Sequence, residues 1–251
     1  MDFYCIRAFS SDKFFGNPAA VCITGDFPSN AQTVAAEINF SETVFVKPYK
    51  KNMFLIRWFS PKDEAPLCIH ATVAAAYMIH KKYGLSTLVL IHKRGVIEAQ
   101  IDANDQVHLF MPTLDTKPLK THNLSLPSVK EAFTDDVVDI FVLSHEQDVL
   151  RYQPDFDAIK AINKRAICLT ASAKTYDYVC RYFAPKIGIP EDPFCGSINC
   201  RLVPYWSQVL HKNHLTSYQS NGYSEFILHK NNQIEFVAKA NLYEERRMMI
   251  A

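Results

Sequence analysis

Glycine is scarce in this chain: only seven occur among 251 residues. No two of them have the spacing of a dinucleotide-binding or P-loop fingerprint, so the glycine-rich turns that hold pyrophosphate are missing. Metal-ligand spacing is missing too, because His211 and His214 are the only close histidine pair and a zinc site needs further ligands. We therefore expect a protein that works without NAD, FAD, ATP or a metal ion.

The chain also has no excess of positive or negative charge. Lys and Arg total 27 against 26 Asp and Glu, whereas nucleic-acid binding proteins are typically basic. No apolar run approaches the roughly 18 residues of a membrane span, and the N-terminus lacks the layout of a signal peptide. Seven cysteines without a Cys-x-x-Cys pair indicate free thiols. We expect a cytoplasmic protein that binds neither nucleic acid nor membrane.

What the sequence does contain is an internal repeat. Arg57-Trp58-Phe59-Ser60-Pro61-Lys62 is matched by Arg181-Tyr182-Phe183-Ala184-Pro185-Lys186. Cys68 then matches Cys195 at an offset of 195 − 68 = 127. Three further matches keep that offset: Gly95 with Gly222, Asn104 with Asn231, and Gln106 with Gln233. A duplicated unit presents the same groups to both sides of a bound molecule, so the repeat predicts a functional site between two similar halves.

The first half is predicted as strands around a buried helix. Residues 71–83 are apolar on nearly every side, which indicates a helix at the centre of a core. An earlier helix is predicted to begin at Ser29 or Asn30. Alternating or β-branched segments predict the strands 3–9, 19–24, 43–47, 53–59, 88–92, 96–101 and 107–111.

The second half repeats this plan. A helix over 155–162 and a central helix from Ser197 are predicted, and Pro204 should kink or restart the latter. The polar stretch from Met111 to about Pro127 predicts a linker, which divides the chain into residues 1–112 and 113–251, with 240–251 packing back on the first half. The predicted fold class is α+β: two pseudo-symmetric halves, each a curled sheet around a central helix. The predicted strands are 140–143, 166–170, 178–183, 223–228 and 234–238.

Both matched cysteines precede a predicted central helix. The N-terminus of a helix exposes unpaired N–H groups that attract a carboxylate or an enolate-like anion. Glu42, placed where a helix gives way to an apolar strand, is the best candidate for a general base, because partial desolvation raises a carboxyl pKa. Each residue also fits a structural role: a loop carboxylate at Glu42, a helix cap at Asp192, and buried inert thiols at Cys68 and Cys195.

In this order and spacing, five segments of the chain resemble the PhzF-like phenazine-biosynthesis isomerases of the diaminopimelate-epimerase-like fold. The resemblance covers at least residues 9–240. It implies two pseudo-symmetric barrel-like halves, a homodimer, and cofactor-free proton transfer on a small carboxylic acid. The segments are Phe15-Gly16-Asn17-Pro18-Ala19-Ala20-Val21, Ser41-Glu42-Thr43, Arg57-Trp58-Phe59-Ser60-Pro61, Leu67-Cys68 with His70-Ala71-Thr72, and Glu191-Asp192-Pro193 with Gly196-Ser197.

The resemblance also implies roles for single residues. Glu42, in the Ser-Glu-Thr motif, corresponds to the glutamate that shuttles a proton between carbons and so shifts a double bond. Asp192 and His70 correspond to its catalytic partners. The implied substrate-binding positions are Asn17, Ile69, Gly196 and Ser197.

Two positions depart from the family pattern. Ile69 stands where glycine is usual, and a β-branched residue resists φ > 0 and would crowd the N–H groups. Cys195 stands where threonine is common, whereas two-thiol racemases and epimerases have catalytic cysteines at the equivalents of Cys68 and Cys195. Three hypotheses therefore stay open: an isomerase that uses Glu42, a racemase that uses both thiols, and a non-catalytic binding protein with the same fold.

Overall fold

A computed structural model describes residues 1–247 of the protein. Up to residue 118 the chain forms two helices, α1 (Ala31–Ile38) and α2 (Ile69–Tyr83), among mostly antiparallel strands. The strands are β1 (Asp2–Ala8), β2 (Asn17–Ile23), β3 (Thr43–Lys50), β4 (Met53–Phe59), β5 (Glu64–Ala65), β6 (Thr87–His92), β7 (Gly95–Ile101), β8 (Val107–Pro112) and β9 (Lys117–Pro118).

The rest of the described chain forms the helices α3 (Glu146–Leu150), α4 (Phe156–Ala161) and α5 (Asn199–Leu210), with a 3₁₀ turn at Pro185–Ile187. The strands are β10 (Val129–Thr134), β11 (Val138–Leu143), β12 (Ala166–Ser172), β13 (Tyr178–Ala184), β14 (Ile189–Asp192), β15 (His214–Gln219), β16 (Gly222–Leu228), β17 (Gln233–Ala238) and β18 (Ala240–Arg247).

The two halves have the same strand pairings in the same order. In the first, β1 and β2 are antiparallel, β2 and β3 parallel, β3 and β4 antiparallel, β4 and β6 parallel, and β6, β7 and β8 form a meander. In the second, the same relations join β10 to β11, β11 to β12, β12 to β13, β13 to β15, and β15 through β17. The repeat seen in the sequence is thus a repeat of topology.

Strand pairs also connect the halves. β8 and β17 are antiparallel, with Val107 opposite Ala238 and Pro112 opposite Gln233. The last described strand, β18, returns to the first half and pairs with β1. The sheets therefore form one continuous hydrogen-bonded network, and the domain boundary after residue 112 stays a prediction.

Helix α2 is the centre of the first half. Its residues from Ile69 to Ile79 are buried, which fits a segment that is apolar on nearly every side. It ends at Tyr83, and the C-cap residue Gly84 adopts a left-handed φ of 69° and donates its N–H to His80 O. No helix within residues 1–247 is long and apolar enough to cross a membrane.

Helix α5 runs without interruption through Pro204, so the predicted restart was wrong. A proline at this position leaves the carbonyl of Cys200 without its helical donor. The backbone N–H of Leu114 supplies that donor at 2.9 Å. The segment that follows β8 therefore satisfies the carbonyl that Pro204 leaves free.

Most predicted elements are confirmed, but several strands were missed. The four residues of β14 do not alternate between apolar and polar side chains. Strand β18 is charged and exposed along much of its length, and it pairs with β1, which is distant in sequence. The predicted linker was wrong at two places: Met111 and Pro112 end β8, and β9 pairs with β10.

Candidate active site

The N-terminal ends of the two central helices lie against each other. Cys68 is the N-cap residue of α2, and Cys195 lies in the turn before α5. A Cβ atom placed on Gly196 would lie 2.7 Å from the Cβ of Ile69, so the backbone before α5 touches the first residue of α2. The N-terminal ends of α2 and α5 therefore adjoin a common region. Within α5, the N–H groups of Asn199, Cys200 and Arg201 already donate to carbonyls of the turn at 196–198.

Ile69 occupies its place without backbone strain. It is the first residue of α2 and is not among the residues with positive φ. Its side chain is 2% exposed and packs on Gly196. The expectation that position 69 demands a left-handed conformation was therefore wrong, because the helix begins at this residue.

Asp192, the last residue of β14, is held by two donors. The side-chain amide of Asn17 donates to Asp192 Oδ1 at 2.9 Å, and the backbone N–H of Phe194 donates to the same oxygen at 3.0 Å. Burial raises the pKa of this carboxyl to about 6, and the two hydrogen bonds oppose the rise. Asn17, which is 1% exposed, also donates to Phe194 O at 3.1 Å.

Glu42 lies directly before β3, where its carbonyl accepts the N–H of Ala20 at 3.0 Å. Its Oε2 atom is buried and has no hydrogen-bond partner in the described chain. Burial raises the pKa of Glu42 to about 8, and the carboxylates of Asp63 and Asp192 add to the rise. An unpaired carboxyl with this pKa can exchange protons near neutral pH.

His70 contacts the first of the two matched thiols. Its Nδ1 lies 3.2 Å from Cys68 Sγ, and the imidazole is 6% exposed. Burial lowers the pKa of His70 to about 4, so the ring is neutral near pH 7. Burial raises the pKa of Cys68 well above its usual range, and the nearby Glu42 adds to that rise.

Cys195 is fixed by its backbone. Gln219 accepts the N–H of Cys195 at 2.8 Å and donates to its carbonyl at 3.0 Å. The thiol lies 3.5 Å from the hydroxyl of Ser197. Burial raises the pKa of Cys195 to about 12, and Asp192 contributes to the increase. The predicted site residues thus lie near one another at the two helix ends, whereas their catalytic roles stay predictions.

Sequence reasoning missed two neighbours of this cluster. The Arg165 guanidinium lowers the pKa of Glu42, and Gln219 anchors Cys195. The repeat contained a signal for Arg165 but none for Gln219, whose counterpart was not a candidate residue. Arg57 and Arg181 match at an offset of 124 residues. At that offset Arg165 corresponds to Ser41, since 165 − 124 = 41, and so it lies next to the residue that corresponds to Glu42. At the 127-residue offset, Gln219 corresponds to His92.

One ion pair is repeated in the two halves. Arg57 binds Glu64 through two hydrogen bonds of 2.9 and 2.8 Å, and Arg181 binds Glu191 through two of 2.8 and 2.7 Å. Each pair connects a long strand to the short strand that leads to a matched cysteine. Bidentate pairs of this kind fix geometry as well as charge, so they hold both cysteine segments in place.

The cluster offers carboxyl, imidazole, hydroxyl and thiol groups beside two helix N-termini. Among residues 1–247, no group of three or more His, Cys, Asp or Glu residues is arranged to hold a metal ion. What these groups can do is bind a small anion through N–H donors and move a proton through Glu42.

Comparison with known proteins agrees with this arrangement. The family model described as phenazine biosynthesis-like protein (PhzC-PhzF) matches residues 6–250. A protein of Pseudomonas aeruginosa named as an uncharacterized isomerase is 35% identical over 227 residues, which cover 87% of this chain and 86% of that protein.

Solved structures show the same fold. A PhzF-family protein from Enterococcus faecalis is 30% identical and matches 99% of each chain with a TM-score of 0.89. A hydroxyproline epimerase from Agrobacterium vitis is 11% identical and matches 98% of this chain and 90% of its own with a TM-score of 0.66, which is a likeness of fold alone. The predicted diaminopimelate-epimerase-like α+β fold is confirmed. The chain belongs to the phenazine biosynthesis-like (PhzC-PhzF) family and is an isomerase.

Proposed function

We propose that the protein moves a proton between carbon atoms of a small carboxylic acid, with Glu42 as the general acid and base. The observation that carries this proposal is the Oε2 atom of Glu42, which is buried and unpaired in the neighbourhood of Cys68 and Asp192. A pKa of about 8 allows this carboxyl to accept and return a proton near neutral pH without a large energetic cost in either direction.

The helix ends supply the binding groups for the acid. The first N–H groups of α2 have no partner within the helix, and its N-cap residue is Cys68. The hydroxyl of Ser197 lies on the turn before α5. Donors of this kind stabilise both a carboxylate and the enolate-like anion that forms when a neighbouring C–H proton leaves.

The proton transfer then needs only one mobile group. Glu42 takes the proton, the electrons of the C–H bond stay on the substrate as a delocalised anion, and Glu42 returns the proton to another carbon of the same molecule. Asp192 Oδ1 accepts from Asn17 and Phe194, which fixes the carboxyl beside the Cys195 thiol, where it can orient a donor group of the substrate. His70, neutral near pH 7, contributes a hydrogen bond without adding charge.

A two-thiol racemase is the second candidate. Cys68 and Cys195 occupy equivalent positions, and the charge of Cys195 would raise the pKa of Cys68, so the two thiols are neighbours. Their burial works against this candidate. Burial raises both thiol pKa values, that of Cys195 to about 12, and only the thiolate removes a proton efficiently. Glu42 is the better base at neutral pH.

Hydrogen exchange tests the proposal. The protein is incubated in D2O with a panel of small unsaturated and amino carboxylic acids, and the C–H signals are followed by NMR. We expect deuterium to enter at least one acid. The Glu42→Gln variant should lose this exchange, because the amide cannot carry the proton, whereas Cys195→Ala should retain it.

The Glu37→Gln variant is the matched control, since Glu37 is an exposed carboxylate on α1. Exchange that survives Glu42→Gln and disappears in Cys195→Ala would move the assignment to the racemase. Binding of an acid to the helix ends without exchange of any C–H would contradict catalysis and leave the third hypothesis, a non-catalytic binding protein.

A further inference from the structure

A cavity of about 300 Å3 lies in the first half. It opens between β4, β5 and the turn that joins β6 to β7. Trp58, Pro66, His92 and Arg94 line it. None of the residues proposed for catalysis contributes to its wall.

Two buried nitrogen atoms in this wall have no partner. Trp58 is 2% exposed, and its Nε1–H has no acceptor within the described residues. His92 Nδ1 is buried and also lacks a hydrogen bond there. The indole and imidazole rings are 5.1 Å apart and nearly perpendicular. Buried polar atoms in native proteins are almost always paired, so both nitrogen atoms are free to form a hydrogen bond with a bound group.

The charge of the wall favours an anion. Arg57, Lys93 and Arg94 line the cavity, and Glu64 is the one carboxylate among its lining residues. Glu64 is already engaged, because it accepts two hydrogen bonds from Arg57 and one of 3.0 Å from Lys93. Hydrogen bonds from Arg57 lower the pKa of Glu64 to about 2. Arg94 has no ion-pair partner within residues 1–247, so its charge is available.

The internal repeat explains why this cavity is open. In the second half, the equivalent corner is covered by the loop between β1 and β2, residues 9–16. Gly16 N donates to Asn221 O at 2.7 Å, Tyr223 N donates to Phe9 O at 3.1 Å, and the rings of Phe9 and Phe194 stack at 4.1 Å.

The counterpart of that loop is too short to cover the first half. The turn between β10 and β11 has only residues 135–137. Asp135 in this turn accepts the N–H groups of Val137 and Val138 at Oδ1, and its Oδ2 accepts from Arg201 of α5 at 2.6 Å. The first half therefore keeps an open cavity at the place where the second half is closed by the chain itself.

We propose that this cavity is a second binding site for a small planar carboxylate, with Arg94 and the Trp58 indole N–H as its donors. The exposed Pro66 supplies an apolar wall, and the volume lies at the lower end of the range for ligand pockets, about 300 to 1,000 Å3. This site does not depend on the reaction assigned to Glu42, so either assignment can fail while the other stands.

Indole NMR tests this site directly, with benzoate as the probe. Trp58 and Trp206 are the two tryptophans of the chain, and a Trp58→Phe variant assigns their resonances. Trp206 Nε1 donates to Thr170 at 3.0 Å, which makes its signal an internal control. We expect benzoate to shift the Trp58 indole signal saturably and to leave that of Trp206 unchanged. Neutral benzamide should have no such effect.

Charge variants complete the test. Arg94→Gln should weaken benzoate binding about fivefold or more, because it removes the unpaired cation. Arg151→Gln, an exposed arginine of the second half, should bind as the wild type does. Absence of a saturable Trp58 shift would overturn the proposal, as would equal affinity in Arg94→Gln. Loss of the shift in Ser197→Ala would also overturn it, because benzoate would then act from the helix ends.

Discussion

Ile69 and Gly196 are equivalent residues of the two halves, since 196 − 69 = 127, and they contact each other. A Cβ on Gly196 would lie 2.7 Å from Cβ and 2.8 Å from Cγ2 of Ile69. Gly196 does not have a positive φ, so space rather than backbone conformation requires glycine here. The branched side chain of Ile69 at the beginning of α2 fits because Gly196, just before α5, has no side chain.

This complementarity predicts non-additive mutations. Gly196→Ala should lower the free energy of unfolding by about 1 to 3 kcal/mol, because its new methyl group overlaps Ile69. In an Ile69→Gly background the same change should cost less, with a coupling of at least about 0.5 kcal/mol. Urea unfolding of the four proteins of the cycle measures this coupling. Strict additivity would show that the two helix starts do not touch in solution.

Asn17 is predicted to act through Asp192. Asn17→Ala removes the donor to Asp192 Oδ1, which opposes the rise in the pKa of that carboxyl, so the pKa should increase above about 6. The loss of the bond to Phe194 O should also lower the free energy of unfolding by about 1 to 3 kcal/mol. Carboxyl 13C NMR titration follows the pKa. An unchanged titration would contradict the contact, and Asn104→Ala, in an exposed turn, is the control.

The Arg57–Glu64 and Arg181–Glu191 ion pairs differ in the further hydrogen bonds that their arginines form. Arg181 Nη1 donates to the carbonyls of Tyr152 at 2.7 Å and Val149 at 3.2 Å, in addition to its bonds with Glu191. Within residues 1–247, Arg57 forms hydrogen bonds with Glu64 alone, and its side chain is more exposed than that of Arg181. Arg181→Ala should therefore cost about 2 to 4 kcal/mol of unfolding free energy, and Arg57→Ala about 1 kcal/mol. Equal losses in urea unfolding would contradict this difference.

The repeat made much of the fold predictable from the sequence. The match of Arg57 with Arg181 correctly identified β4 and β13 as equivalent strands of the two halves. The two matched cysteines correctly indicated where α2 and α5 begin. The apolar surroundings of Glu42 predicted a desolvated carboxyl, which agrees with its pKa of about 8.

Other features depend on contacts between residues that are distant in sequence. The pairing of β18 with β1 joins the two ends of the described chain, and no local pattern encodes it. The unbroken α5 depends on a donor from Leu114, which substitutes for the N–H that Pro204 lacks. The open cavity beside Trp58 results from the length of a turn in the other half. Periodicity within a segment could not reveal any of these.

The buried carboxyl of Glu42 predicts how stability depends on pH. Its pKa rises from 4.5 to about 8 on folding, so the native state holds a proton that the unfolded chain loses between these values. The stabilisation is therefore complete below pH 4.5 and is lost as the pH rises through about 8. In Glu42→Gln this loss should be absent. At pH 9 the variant should exceed the wild type in unfolding free energy by about 4 to 5 kcal/mol, relative to their difference at pH 4.

Urea unfolding at pH 4, 6.5 and 9 measures that divergence. Asp192, whose pKa also rises through burial, is present in both proteins, so only its repulsion with Glu42 differs between them and adds to the divergence. Glu37→Gln should follow the wild type, because Glu37 is exposed. The same pKa governs the rate: since Glu42 must be ionised to accept a carbon-bound proton, kcat/KM should rise with pH and level off above about 8. Parallel stability curves for wild type and Glu42→Gln would mean that this carboxyl is solvated, and a solvated Glu42 could not be the base proposed here.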